Sequence, residues 1–235
     1  MISDARRHFG PKSRIADIVK DEERAHRVAK ALVDSGAYHI DPNLEPEQYF
    51  SWKSGIKAPC YCNCRDLLGP ASYRLLVGSE LAASVKERFH DVNAVIGIAT
   101  AGIAWAALVA DQLECQLAYV RGEKKTHGLG GFVQGTLTPD SRVVVIDDLV
   151  ASGGSLLSAV AAIESEAHAT VVGIQTIVNW GFEKMREKLI GVEYTALTSY
   201  PHILTAAMSR GLVSPSDMER FLEFYENPSR GFVHA

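Results

Sequence analysis

Residues 141–155 read Ser-Arg-Val-Val-Val-Ile-Asp-Asp-Leu-Val-Ala-Ser-Gly-Gly-Ser. The β-branched run Val143 to Ile146 has the composition of a strand buried on both faces, and it stops at the adjacent carboxylates of Asp147 and Asp148. A turn of small residues follows, Ser152, Gly153, Gly154 and Ser155, and then an Ala/Leu/Val-rich helix from Leu156 to about Ile163. Such a turn points several backbone N–H groups and the positive end of a helix dipole at one spot, where the Ser152 and Ser155 hydroxyls add donors. That spot suits a phosphate. The two aspartates are poor phosphate ligands, but they accept hydrogen bonds from neighbouring hydroxyls such as the 2- and 3-positions of a ribose, so a ribose 5-phosphate fits both halves. The plain alternative is an ordinary strand-to-helix turn with Asp148 capping nearby groups. A Walker A loop is excluded because no Gly-Lys-Ser/Thr follows, and Gly128, Gly130 and Gly131 do not keep the spacing of a dinucleotide fingerprint.

A hydrophobic strand, Asp-Asp, a short spacer and Ser-Gly-Gly-Ser together resemble the PRPP-binding signature of type I phosphoribosyltransferases. The resemblance implies that Asp147 and Asp148 hold the ribose of PRPP (5-phosphoribosyl 1-diphosphate). It also implies that Leu149, Val150, Ala151, Ser152, Gly153, Gly154 and Ser155 line the substrate, with the turn from Ala151 onward on the 5-phosphate.

At 235 residues, with 47% hydrophobic and 22% charged residues, the chain can bury a full core as a soluble globular protein with one main domain. No apolar run approaches the ~20 residues of a membrane span, and the start, Met-Ile-Ser-Asp-Ala-Arg-Arg-His, lacks a secretory apolar region, so a cytoplasmic protein is expected. A formal charge of -4 and a pI near 6.1 argue against a general nucleic-acid binder. Cys60, Cys62 and Cys64 alternate, which places three thiols on one strand face; without a Cys-x2-Cys turn and a fourth ligand they read as buried reduced thiols, and no metal is assigned to them.

From Arg14 to Ser35 the apolar residues Ile15, Ile18, Val19, Val28, Leu32 and Val33 recur at helical spacing, with Gly36 as a C-terminal cap and an irregular connection from Tyr38 to Gln48. Tyr49 to Arg65 reads as a hairpin with a Ser54-Gly55 turn. Pro70 to Phe89 is an amphipathic helix that turns Leu75, Leu76, Leu81, Val85 and Phe89 inward. Asp91 to Thr100 is a buried strand running into a second small-residue loop, Thr100-Ala-Gly102, which opens a helix to Gln112; Cys115 to Val120 is the next strand. After it, residues 121–135 mix cations with five glycines, the composition of a loop able to close over a polyanion. Thr170 to Val178 is another buried strand, Tyr194 to Thr198 a further one, and Ser214-Pro-Ser-Asp217 opens a last helix as a capping box. Strands alternating with helices predict a parallel α/β sheet with right-handed crossovers.

Two of these stretches narrow the resemblance. Phe50, Trp52, Ser54, Gly55, Pro59, Tyr61 and Arg65 match the opening hairpin of orotate phosphoribosyltransferases, which implies that Lys53 lies near the pyrophosphate and the base and that Arg65 belongs to the substrate site. Asn63 stands where the family often has an acid. Arg121, Lys125 and His127 match the family's Arg-Lys-x-x-Lys-x-His-Gly loop, which reaches into the neighbouring subunit's site; Gly122 replaces the family's Lys, with Lys124 as a possible substitute. By the same resemblance Thr100 and Gly102 bring backbone groups to the pyrophosphate. Asn179-Trp180 stand where the family commonly has Asp-Arg, whose Arg binds the orotate carboxylate; an aromatic face can stack on a pyrimidine but forms no bidentate pair with a carboxylate.

The expectation is therefore a type I phosphoribosyltransferase fold, a central parallel sheet flanked by helices. Residues 1–45 would be a helical extension contributing to a small hood, and residues 46–235 the phosphoribosyltransferase domain. The resemblance implies transfer of ribose 5-phosphate from PRPP to orotate in pyrimidine nucleotide synthesis. It also implies Mg2+ held mainly through substrate, a homodimer, and Lys125, Asp147, Asp148 and His127 as the catalytic residues. Trp180 keeps open a purine-using relative, and the fold also serves PRPP-sensing regulators without catalysis. Neither nucleic acid nor membrane is expected as a partner.

Overall fold

The computed structural model describes residues 18–52, 55–122, 131–150, 154–180 and 192–226, with the side chains of 154 and 155 excepted. At its centre is a six-stranded sheet of β5 (Ala94–Ile98), β6 (Gln116–Val120), β7 (Val133–Gln134), β8 (Arg142–Val150), β9 (Thr170–Asn179) and β10 (Tyr194–Ser199) in the order β10-β9-β8-β5-β6-β7. All neighbours run parallel except the short β7, which returns antiparallel on β6. Every residue of β5 and β10 is buried, as the apolar runs demanded.

Chain order reverses between β8 and β5. From β5 the chain passes through α3 (Ala101–Leu113) to β6 on one side, and β8 then continues through α4 (Gly154–Ala162) to β9 on the other. In open parallel sheets the crevice at such a reversal, beyond the carboxyl ends of the strands, is where ligands sit.

Backbone packing closes this crevice from below. A Cβ on Gly97 would lie 2.6 Å from the Gly102 carbonyl oxygen, and one on Gly102 would lie 2.4 Å from the Ile146 carbonyl oxygen. The first turn of α3 therefore rests directly on the main chains of β5 and β8, and only glycine permits it.

The remaining elements cover the sheet. Helix α1 (Glu22–Asp34), α2 (Ala71–Arg88), α5 (Tyr200–Ser209) and α6 (Pro215–Glu226) share one buried cluster with two small antiparallel pairs, β1 (Tyr38–Ile40) with β4 (Cys60–Cys62), and β2 (Phe50–Ser51) with β3 (Lys57–Ala58). Buried polar bonds set the register between layers. Ser84 and Thr195 both donate to Gln175 Oε1, at 2.7 and 2.6 Å, and Thr198 donates to the Ala25 carbonyl at 2.9 Å. Arg24, 8% exposed, reaches from α1 to Glu80 and Glu87 of α2 with three charge-assisted contacts between 2.8 and 3.0 Å.

Several expectations change. The first helix does not run unbroken from Arg14: residues 19–21 lie outside it, and Asp21 starts α1 by accepting the Arg24 N–H at 2.9 Å. Leu75, expected inside, is 61% exposed on α2. The 38–48 connection contains β1 and a 3-10 turn at Pro46–Gln48. Cys64 opens a second 3-10 turn (Cys64–Leu68) rather than extending β4, yet its Sγ still lies 3.6 Å from that of Cys62. The capping box of the last helix forms as expected, with Asp217 accepting the Ser214 N–H at 2.9 Å and Ser214 Oγ accepting the Asp217 N–H at 3.2 Å.

Gly102→Ala should lower unfolding stability by about 1–3 kcal/mol, the cost of forcing extra volume into a packed core. Urea denaturation measures it, and an unchanged midpoint would contradict the close approach of α3.

Candidate functional site

Strand β8 does not stop at the acids. It continues through Asp147 and Asp148 to Val150, because β9 accompanies it there, pairing Asp147 with Thr176, Leu149 with Val178 and Val150 with Asn179. The ladder to β5 has already ended at Gly97 and Ile146. Both carboxylates thus stand at the reversal, on a strand held from one side.

Each carboxylate is aimed by the backbone after it. Asp147 Oδ1 accepts the Asp148 N–H at 2.9 Å, and Asp148 Oδ1 accepts the Leu149 N–H at 2.8 Å. Neither aspartate is fully buried. Burial nevertheless pushes the Asp148 carboxyl above the usual carboxylate range, against the pull of the Leu149 N–H, Asp147 and the Arg65 charge. Arg65 comes from the Cys64–Leu68 turn, whose Cys64 Sγ sits 4.0 Å from the Asp148 carbonyl oxygen. Its guanidinium is exposed and is oriented by Asn63 Oδ1 at 2.9 Å, so the amide at that position still grips the arginine as an acid would.

Around this pair the sheet brings together most of the described candidates. Thr100 is exposed at the start of α3, Gly102 is buried beneath it, and Leu149 and Val150 end β8 immediately before the chain enters α4 at Gly154. Arg121 follows β6, its N–H donating to the Phe132 carbonyl at 2.9 Å. Lys53, Lys124, Lys125, His127, Ala151, Ser152 and Gly153, with the Ser155 side chain, lie outside the described residues.

Trp180 is a correction. Only 3% exposed, it is a core residue, tilted against Trp52 at 4.6 Å and Tyr200 at 4.8 Å between ring centroids, rather than a ring offered for stacking on a base. Burial removes the stacking role of this ring, while the arginine that pairs with a carboxylate in the family is still missing from this position.

Sequence reasoning missed Glu166. One of its carboxylate oxygens accepts the N–H groups of both Phe132 and Val133, at 2.7 and 3.1 Å, tying the return of the 121–135 segment to the turn Ile163–Ala167 at the end of α4. Gly131 just before them has φ +88°, a left-handed conformation that favours glycine. Nothing local distinguishes Glu166 from the neighbouring Glu164, so the role was invisible without the fold.

Residues 74–192 match the phosphoribosyl transferase domain model, and they contain both the carboxylate pair and the reversal of the parallel sheet. An orotate phosphoribosyltransferase of Listeria monocytogenes is 40% identical over 206 residues, covering 87% of this chain and 96% of that protein. The crystal structure of the Aeropyrum pernix orotate phosphoribosyltransferase superposes with a TM-score of 0.66 at 31% identity, covering 80% of this chain and 99% of the other. The Leishmania donovani UMP synthase superposes with a TM-score of 0.69 at 26% identity, covering 85% of this chain and 42% of that one. The chain belongs to the orotate phosphoribosyltransferase family.

Burial of Asp148 raises its folded-state pKa above the unfolded value, so ionising it works against folding; that handicap is absent below the unfolded pKa and grows as pH rises through the folded one. Asp148→Asn keeps an acceptor for the Leu149 N–H and removes the buried charge. It should melt at or above the native temperature at neutral pH, with the difference vanishing toward about pH 4; thermal unfolding across that range checks the sign, and a variant that melts lower at neutral pH contradicts it.

Proposed function

We propose that this chain transfers the 5-phosphoribosyl group of PRPP to orotate, giving orotidine 5-monophosphate and pyrophosphate. The observation that carries the reading is the Asp147–Asp148 pair at the reversal between β8 and β5, near the end of the strand that precedes α4 in the chain. Family membership supplies the base and the donor.

In this reading Asp147 and Asp148 hold the ribose 2- and 3-hydroxyls, and their negative charge favours the oxocarbenium-like sugar that forms as the bond to pyrophosphate breaks. The turn from Ala151 to Ser155 receives the 5-phosphate at the head of α4. Lys53, Arg65, Arg121, Lys124 and Lys125 take up charge on the departing pyrophosphate, with Thr100 and Gly102 placing backbone groups beside it. His127 helps order the loop. The work is placement of charge, and no protein nucleophile is required.

The donors present fit Mg2+, a hard cation that keeps several waters and favours carboxylate and phosphate oxygens. Asp147 and Asp148 would hold it through its water shell, while PRPP oxygens supply the direct ligands; when bound, it offsets pyrophosphate charge. Among the described residues no helix is long and apolar enough to cross a membrane. We read the protein as a cytoplasmic homodimer in which the 121–135 loop serves the neighbouring site. Residues 1–45 then contribute to a hood, a reading supported by α1 and β1 packing in one cluster with β4.

With PRPP and Mg2+, pyrophosphate should be released with orotate and not with adenine, hypoxanthine, xanthine or uracil. Release only with another base would move the substrate, and PRPP binding without release would make the chain a sensor. Lys125→Ala should cut turnover by about 10²–10³-fold, the scale of one lost transition-state contact, with unchanged thermal unfolding; native turnover would remove the loop from the mechanism.

A further inference from the structure

The first turns of α1 and α5 meet at three ligating side chains that phosphoribosyl transfer does not use. Glu22 and His26 stand four residues apart on α1, so one helix face carries both, and His202 lies in the first turn of α5. One coordinating atom from each falls within 4.8 Å of the others. The two imidazoles meet edge to face with centroids 5.2 Å apart.

Both rings are set by their Nδ1 atoms. In His26 it donates to the Glu22 main-chain carbonyl at 2.6 Å, and in His202 it bonds Ser199 Oγ at 2.6 Å. Ser199 ends β10, is fully buried and so is a fixed anchor. In His26, whose Nδ1 proton is held by the Glu22 carbonyl, Nε2 presents its lone pair, the usual arrangement behind a metal-ligating histidine. His202 Nε2–H donates to Glu22 Oε2 at 2.9 Å; an inserted ion would displace that proton, which passes to Nδ1 beside Ser199 Oγ or to solvent, and would take the same two atoms as ligands. Glu22 and His26 are exposed and His202 half-buried, so the group is open to solvent.

We propose that Glu22, His26 and His202 bind a divalent transition-metal ion of the zinc type, which clamps α1 to α5. Two imidazole nitrogens and one carboxylate suit Zn2+ in four-coordination with water in the last position, and they discriminate against Mg2+, which prefers an all-oxygen shell. The proposed site shares no residue with the Asp147–Asp148 centre and does not depend on the base transferred there.

The test titrates Zn2+ into the chelator-stripped full chain, in excess Mg2+, against a chromophoric chelator, and follows thermal unfolding in parallel. One equivalent of Zn2+ should bind and raise the melting temperature. His26→Ala, which removes a ring contact but no hydrogen bond between elements, and Glu22→Gln should each weaken that equivalent at least about tenfold and abolish the thermal shift, while Ser199→Ala should weaken it by about 10–100-fold through loss of the ring's anchor. Native affinity in both His26→Ala and Glu22→Gln, or no thermal shift with Zn2+ in the native chain, would overturn the proposal; orotate and PRPP turnover, measured separately, should be unchanged in His26→Ala.

Discussion

Everything in this molecule hangs on a place where two main chains touch without side chains between them. The N-terminus of α3 lies on the backbones of β5 and β8 because Gly97 and Gly102 present no Cβ to Gly102 and Ile146. That contact fixes the height of Thr100 against the ends of the strands, and it sets where the β5–β8 ladder stops. Once the ladder stops, Asp147 and Asp148 are freed from one neighbour while β9 holds the other side. Site and scaffold are in this sense a single packing solution.

The acids show how such a scaffold tunes chemistry. They satisfy main-chain N–H groups at the strand end, and in return those N–H groups hold the carboxylates in place. The nearby charge, Arg65, is steadied by a neutral amide at Asn63, so its full charge faces outward. A carboxylate there would have neutralised part of it.

Much of this was legible in the chain because its signals are contiguous. The run Val143–Ile146, the two acids and the Ser-Gly-Gly-Ser turn lie within one short stretch, and parallel pairing follows from the alternation of strand and helix. What could not be read depends on distant partners. Asp147 and Asp148 look like the start of a loop until β9 is beside them. Helix α5 hides because Tyr200 to Ser209 follows β10 with no break in apolar character and carries Pro201, which reads as a stop yet sits harmlessly in a first turn. Helix α1 begins late because Asp21 captures an N–H, although Ile18 and Val19 fit the helical period and are buried all the same. Trp180 looks like a substitution in the base site until Trp52 and Tyr200, far away in sequence, enclose it.

That enclosure gives the protein an optical signature. Its three tryptophans are Trp52, Trp105 and Trp180, and the last two are all but sealed from water. Trp52, half-buried with its indole N–H on the Cys60 carbonyl at 2.9 Å, directly follows β2, and its ring rests against Trp180. Excitation in either ring of this pair is shared over 4.6 Å, so emission reports how the 50–58 hairpin sits on the sheet. The chain carries its own fluorophore pair where this hairpin meets Trp180, and a change at that contact is readable without any label.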